Sequence, residues 1–462
     1  MINSRFIFAA LFLGFGQIAF AAPAASAAAS SVAVSSAAVS PVISSVARSS
    51  SQAPTQSSTS PAAATFTAGL TSDDPNDSLL DQFQSETPEA IRGSLGASVI
   101  GPQNIPLDME SPDFLAPPST DAGSIQNAKW PFSLSHNRLQ TGGWARQQNL
   151  DVMPIAEQMA GVNMRLEAGA IREMHWHAIA EWGYVFSGQV RISAVTSDGQ
   201  NYLQDINPGD VWYFPAGIPH SIQATNASSD GSEFLLVFDS GDFSEDDTFL
   251  LTDWLAHIPK EVLAKNFRAS ISAFDHIPAK ELYIFPSNPP PPLSQDLVSS
   301  PQGQVSNPFG LAWSQSPRTP LVGGSVKVLD STSFPVSQTI AAADVMVEEG
   351  GMRELHWHPT QAEWSFFISG NARVTIFAAN GNARTFDYQA GDVGYVPPTN
   401  GHYVENIGNG TLHFLEIFKT DRFQDISLNQ WLALTPPELV KAHLNIDDET
   451  VALFNKTKQT VV

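Results

Sequence analysis

Residues 169–182 read GAIREMHWHAIAEW, and residues 350–364 read GGMRELHWHPTQAEW. On an extended chain alternate side chains share a face, so His175 and His177 point one way and Trp176 the other. His356 and His358 are disposed in the same way about Trp357. A short turn then returns Glu181 or Glu363 toward each pair. Farther along, PGDVWYFPAGIPHSIQ (208–223) and AGDVGYVPPTNGHYVENI (390–407) supply His220 and His402 after matched Pro-containing turns. Six of the eleven histidines therefore fall at equivalent positions in two halves. A lone histidine is usually an ordinary core or surface residue. Three His and one Glu recurring at matched spacing read instead as two metal sites: His175, His177, Glu181 and His220, then His356, His358, Glu363 and His402. Four protein ligands leave two positions open on an octahedral ion, which suits catalysis better than a closed structural site. The donor set accommodates Mn, Fe, Ni, Cu or Zn and does not by itself choose among them.

The repeat extends beyond these motifs. PFSLSHNRLQTGGWARQ from Pro131 answers PFGLAWSQSPRTPLVGGSVKV from Pro308, and LTDWLAHIPKEVLAKNF (251–267) answers SLNQWLALTPPELVKAHLNI (427–446). Two duplicated domains, 126–284 and 306–462, joined by a Pro/Ser-rich linker over 285–305, is the economical reading. Segments such as GQVRISAV, EFLLVFD, RVTIFAA and LHFLEIF are short, β-branched and aromatic, and are punctuated by Gly, Asn and Asp turns. They predict an all-β chain with a few helices, arranged as sandwiches or barrels. Each half closes in a helix. In the second, Thr435 is the expected N-cap, with Pro436 at N1 and Glu438 completing a capping box.

The chain has 462 residues, no cysteine and a formal net charge of −23. Thiol chemistry is excluded, and nucleic acid and anionic membranes are poor partners for so acidic a protein. An anionic substrate would need strong local cations. Residues 1–21 carry one arginine, a short apolar run and an A-x-A pattern, as a secretory leader does. Residues 22–75 form an Ala/Ser/Pro-rich stretch expected to be a disordered stalk suited to O-glycosylation, and 76–125 an N-terminal arm. Asn76, Asn226, Asn409 and Asn455 stand in N-x-S/T sequons. The expected location is extracellular.

Each half resembles the cupins. The motif G-x5-HxH-x3/4-E-x6-G runs from Gly169 to Gly188 and from Gly350 to Gly370. The motif G-x5-PxG-x2-H-x3-N starts at Gly209 and at Gly391. Ala224 replaces the final Asn in the first half, and Thr399 the Gly of PxG in the second. Over roughly residues 125–450 the chain resembles the bicupin oxalate decarboxylases, as a secreted fungal-type member, in the pieces IREMHWHAIAEW, FPAGIPHSIQ, LTDWLAHIP, MRELHWH, HYVENIG, FLEIFK and SLNQWLA. The resemblance implies two tandem cupin barrels (double-stranded β-helix, or jelly roll) and two manganese ions per chain. It also implies dioxygen as a catalytic participant, oxalate as substrate, formate and carbon dioxide as products, and a homo-oligomer, trimer or hexamer. The rivals are an oxalate oxidase releasing peroxide, another dioxygen-using cupin enzyme, and a non-catalytic storage or binding bicupin.

Arg172 and Arg353 each precede the first ligand histidine by three residues. Odd spacing places them on the opposite strand face unless the strand bends. A guanidinium can clamp carboxylate oxygens in a planar fork, and the resemblance assigns both arginines to polarising bound oxalate. In FDSGDFSEDDTFLLTDW, Ser244, Glu245 and Thr248 match a lid that reads Ser-Glu-Asn-Ser-Thr in the bacterial enzymes, while Asp246 and Asp247 depart from it. Glu245 is thereby the expected proton-transfer residue of the first site. Glu416 in FLEIFK is either an acid beside the second metal or a strand carboxylate satisfied by Arg353. KTDRFQDISLNQW, which follows it, lacks the lid pattern, so the first site is expected to be the main catalytic one. Trp176 and Trp357 are expected to pack at an interface, with electron transfer as the alternative.

Overall fold

In the computed structural model, residues 88–462 are described. The leader, the stalk and Asn76 lie outside them. The described chain forms two antiparallel barrels, each built from two facing sheets. In the first barrel one sheet runs in the order Asn201–Ile206, Val190–Val195, His220–Ala224, Ile171–Trp176 and Phe249–Leu250, with Ile284–Phe285 also on Ile171–Trp176. Its partner sheet is centred on Val211–Phe214, Glu181–Ser187, Ser232–Phe238 and Ala160–Leu166. The second barrel repeats the plan with Met352–Trp357 beside His402–Asn406, and Glu363–Ser369 between Asp392–Val396 and Leu412–Phe418. Strand burial alternates where one face meets solvent and is continuous where both faces are covered, as in Val211–Phe214 and Asp392–Val396. Among the described residues no helix is long and apolar enough to cross a membrane.

Sheet membership crosses the sequence repeat. Lys129–Pro131, at the start of the first duplicated stretch, pairs with Asp392–Val396 of the second barrel. Gly310–Leu311, at the start of the second, pairs with Val211–Phe214 of the first. Each barrel thus donates an edge strand to the other, so the boundaries at 126 and 306 cut the chain differently from the sheets. Backbone pairing overrides sequence order here because an edge strand takes whichever partner covers its free hydrogen-bonding groups. One continuous apolar cluster, including Trp182, Trp212, Trp313, Trp364 and Phe366, spans both barrels. The Trp364 indole donates to Gln148 of the opposite barrel at 2.7 Å.

The N-terminal arm also belongs to the second barrel. Buried Asp113 accepts from Arg373 at 3.0 Å, and Asp121 accepts from the Thr385 hydroxyl at 2.7 Å. The 285–305 segment lies along the first barrel rather than spacing the two apart. Arg191 donates at 2.7 Å to the Pro291 carbonyl and to Asp296, and Asn201 donates to the Val298 carbonyl.

The closing helix of the second half corrects one sequence expectation. It spans Pro437–Leu444 with Pro436 as its cap residue and Pro437 at N1. The Thr435 hydroxyl instead donates to the Trp431 carbonyl at 2.8 Å, finishing the preceding helix Leu428–Ala433. With the helix starting one residue later than expected and no side chain bonding its first N–H groups, the capping box does not form.

Candidate metal centres and lid

His175 and His220 face each other in register, as do His356 and His402. Between Arg172 and His175 the strand spends three steps where its partner, Ile222 to His220, spends two. The same slip separates Arg353 from His356. An extra residue in one strand turns side chains of odd spacing onto one face, so the bulge supplies the bend that the Arg spacing demanded. Both arginines are buried with the ligands, at 1% and 0% exposure. Glu181 and Glu363 open the next strands in sequence, which belong to the facing sheets, and both are buried.

Among the described residues, His175, His177, Glu181 and His220 form one group able to hold a metal, and His356, His358, Glu363 and His402 another; in each, the ligand atoms lie within 4.8 Å of one another. Every histidine Nδ1 sits against a backbone carbonyl. In the first group these are Glu173 at 2.5 Å, Ile179 at 2.5 Å and Ile218 at 2.7 Å. In the second they are Glu354 at 2.6 Å, Gln424 at 2.9 Å and Asn400 at 3.0 Å. A proton on Nδ1 leaves the Nε2 lone pair aimed at the centre. Nε2 of His358 and of His402 then face a Glu363 oxygen at 2.9 and 3.0 Å, and Nε2 of His177 faces Glu181 at 3.3 Å. Acceptors meet acceptors, and Nε2 of His220 and of His356 has no hydrogen-bond partner at all. A cation at each centre resolves both conflicts, so the residues fit a metal ion.

Burial, then Arg172, holds the His175 pKa well below the ordinary imidazole value; burial, then Arg353, does the same at His356. Burial also lowers His220 and His358. At His402 burial acts in the same sense, but Glu363 outweighs it and the ring is pushed up. Burial alone would raise Glu181 and Glu363, yet His220 and His402 respectively, with the other ligands, hold them well below the usual carboxylate range. Neutral imidazoles and an ionised carboxylate are the ligand states that a divalent ion requires.

The two centres differ in the support of the carboxylate. Glu181 accepts from the Trp212 indole at 2.8 Å, whereas Glu363 accepts from the Ser365 hydroxyl at 2.6 Å. Gly183 stands where the second half has Ser365, and Gly394 where the first has Trp212. A Cβ on Gly183 would lie 2.1 Å from the Trp212 ring. The paired differences were visible in the aligned repeats, but only contact shows that each compensates the other.

The cover over each centre differs more. Over the first, Glu245–Asp247 forms a 3-10 turn capped by Ser244. Glu245 is buried, and its Oε2 accepts from Arg172 at 3.0 Å and from the Tyr283 hydroxyl at 2.7 Å. The Arg172 guanidinium stacks over the Tyr283 ring, 4.2 Å from its centroid. Exposed Asp246 pairs with Arg138 at 3.1 Å, and Asp247 is exposed. A cavity of about 550 Å³ lies outside this turn, lined among others by Arg138, Arg146, Glu245 and Tyr283. Over the second centre, Arg353 is held by Glu416 at 3.0 Å and Asp425 at 2.8 Å, and Asp425 also pairs with Lys458. Burial pushes Glu416 up to about 7 against the pull of Arg353, with Glu363 adding to the rise. Glu416 therefore does pair with Arg353, while its Oε2 remains unpartnered. Tyr283, Asp425 and Lys458 escaped sequence reasoning because no motif marks them.

Thr399, one of the two motif departures, does touch a ligand through its backbone. Its N–H donates to the His358 carbonyl at 2.9 Å, as that of Gly217 does to His177 at 2.8 Å. Thr399 holds φ of 67°, a left-handed conformation unusual for a β-branched residue. Thr399→Gly is expected to stabilise the second barrel by about 1 kcal/mol, read as a higher thermal unfolding midpoint; an unchanged or lower midpoint would refute it.

Fold and sites together define a bicupin with two centres able to bind metal. A cupin family profile matches residues 135–273 and 312–452. The chain is 52% identical over 379 residues to the oxalate decarboxylase of Bacillus subtilis (strain 168), covering 82% of this chain and 98% of that protein. It is 44% identical over 370 residues to a probable oxalate decarboxylase of Arthroderma benhamiae, covering 79% and 91%. A solved structure of the Bacillus subtilis enzyme at pH 4.6 matches with a TM-score of 0.79 at 52% identity, over 81% of this chain and 98% of that one. Another, from work on the Mn(II) centres of that enzyme, matches with a TM-score of 0.79 over 82% and 99% at the same identity. The chain belongs to the oxalate decarboxylase family of bicupins.

Proposed function

We propose that the protein converts oxalate and a proton to formate and carbon dioxide, with manganese at both centres and turnover at the first. The observation that carries this reading is Glu245, buried on Arg172 above a complete ligand set. His175, His177, Glu181 and His220 would hold the manganese ion, which together with dioxygen would supply one-electron exchange with oxalate. Arg172 binds and polarises a substrate carboxylate through a charge-assisted fork, which offsets the repulsion of an acidic chain. Once carbon dioxide has left, the remaining one-carbon unit must gain a proton on carbon. Glu245, having first taken up the proton that the overall conversion consumes, supplies it, and its closed position excludes water. Without that proton, dioxygen takes the electrons instead: oxalate, dioxygen and two protons then give two carbon dioxide and hydrogen peroxide. A lid acid built into the site favours the decarboxylase over the oxidase, and two complete ligand sets argue against a storage protein.

The second centre is auxiliary in this reading. Its arginine is engaged by two carboxylates, Glu416 and Asp425, where Arg172 meets only Glu245 of the lid, so oxalate would have more to displace at the second centre. Incubating manganese-loaded protein with oxalate and measuring formate, peroxide and carbon dioxide together tests the assignment. Formate in near-equal amount to carbon dioxide, with little peroxide, is the expected result; no oxalate turnover with manganese bound would overturn it.

The leader and stalk support secretion, and Asn226, Asn409 and Asn455 are exposed as glycan acceptors must be. Homo-oligomer formation is supported by matched apolar outer faces. Trp176 stacks on Phe249 and meets Trp254 edge-on, while Trp357 meets Trp431. Trp254 and Trp431 are each 55% exposed, so each barrel presents an aromatic cluster that a second copy could cover. Trp431→Asp is expected to yield smaller species in sedimentation velocity with manganese content retained. An unchanged sedimentation coefficient would exclude this face from the interface.

A further inference from the structure

We propose that Glu173 is a positioning residue for the lid acid: its buried carboxylate fixes both chain segments that hold Glu245 on Arg172, and so governs the partition between formate and peroxide. The proposal rests on the decarboxylase reading above.

Glu173 is 3% exposed, and among the described residues no cation pairs with it. Four donors saturate it instead. Oε1 accepts from the Thr252 N–H at 2.7 Å and the Thr252 hydroxyl at 2.6 Å. Oε2 accepts from the N–H groups of Leu282 and Tyr283, both at 2.8 Å. An ionised carboxyl accepts only, with room for about four donors. Thr252 begins the chain leading away from the lid, four residues after Thr248. Tyr283 carries the hydroxyl that Glu245 accepts and the ring on which Arg172 stacks. One carboxylate therefore ties the exit of the lid to the residue that receives it.

Tyr283 also needs to be held. Its φ is 56°, in the left-handed region that bulky residues rarely adopt. Such strain persists where surrounding bonds over-determine it, often beside a functional group. With glutamine at 173, one carboxylate oxygen becomes an amide that donates, and it meets backbone N–H or hydroxyl donors. At least one segment is then released. Relaxation of Tyr283 moves its hydroxyl off Glu245, and the closed lid loses population.

The second half contains the same device without a lid glutamate. Glu354 accepts from the Thr460 N–H at 3.0 Å and the Ser427 hydroxyl at 2.6 Å, and Thr460 has φ of 57°. The duplication thus supplies an internal control. A purely structural carboxylate would affect stability in both barrels and leave the product ratio alone; a lid-positioning one changes the ratio as well, and only in the first.

The test compares E173Q and E354Q in the full-length, manganese-loaded protein, with T252V as a milder variant that keeps the backbone donor and drops the hydroxyl. Thermal midpoint, manganese per chain and the peroxide-to-formate ratio on oxalate are measured for each. Both glutamine variants are expected to lose thermal stability. E173Q alone should raise the ratio, by about tenfold, as small misplacements of catalytic groups do, with T252V moving it in the same direction by less. An unchanged ratio in E173Q, or in T252V should E173Q not fold, overturns the proposal, as does an equal rise in E354Q. Formate from the unaltered protein tests the decarboxylase reading separately.

Discussion

Replacing Glu245 by glutamine is expected to lower formate production by about a hundredfold, the scale of losing a positioned proton donor, while manganese content stays near two per chain. Glutamine keeps the shape of the side chain and can still accept from Arg172 and Tyr283 through its amide oxygen. It cannot deliver a proton to carbon at the required step. Residual oxalate consumption should therefore shift toward peroxide. Simultaneous measurement of formate and peroxide checks this, and unchanged formate output would remove Glu245 from the proton-transfer role. Arg172→Ala provides the contrast, since it removes the anion clamp and should depress both products together.

The second large effect separates the two centres. His220→Ala and His402→Ala each delete one of four ligands, and His220 and His402 hold equivalent positions beside His175 and His356. Each variant is expected to lose about half of its manganese, because the affected centre weakens by more than the roughly 10–100-fold that follows when only a ligand's supporting partner is lost. Only His220→Ala should abolish turnover. His402→Ala should keep formate production within a few-fold of normal and lower the unfolding temperature. Metal analysis, formate assay and thermal melting on the same samples decide it. Loss of turnover in His402→Ala, with the first centre still loaded, would make the second centre catalytic.

This asymmetry was partly legible beforehand. The eight ligands could be read from spacing because a strand has a fixed period and duplication repeats it, whereas the role of both arginines came through resemblance. Glu245 could be read only through resemblance, since three acids in a row look like a solvated loop. In the folded chain they part company: Glu245 is buried against Arg172 while Asp246 and Asp247 are exposed. The Arg172 spacing was legible as a problem whose solution, a bulge, needed the partner strand.

Sequence alone determined the duplication, the barrel class and the two His3Glu sets, because these depend on local period and residue chemistry. Tertiary structure alone decided the strand exchange between barrels and the pairing of Gly183 with Trp212 against Ser365 with Gly394. It also decided the clamping of Arg353 by Glu416 and by Asp425, itself paired with Lys458, and the saturation of Glu173 by Thr252, Leu282 and Tyr283. Each of these joins residues far apart in the chain whose individual types are unremarkable. Their meaning arises from which donor reaches which acceptor once burial has removed water as the alternative partner.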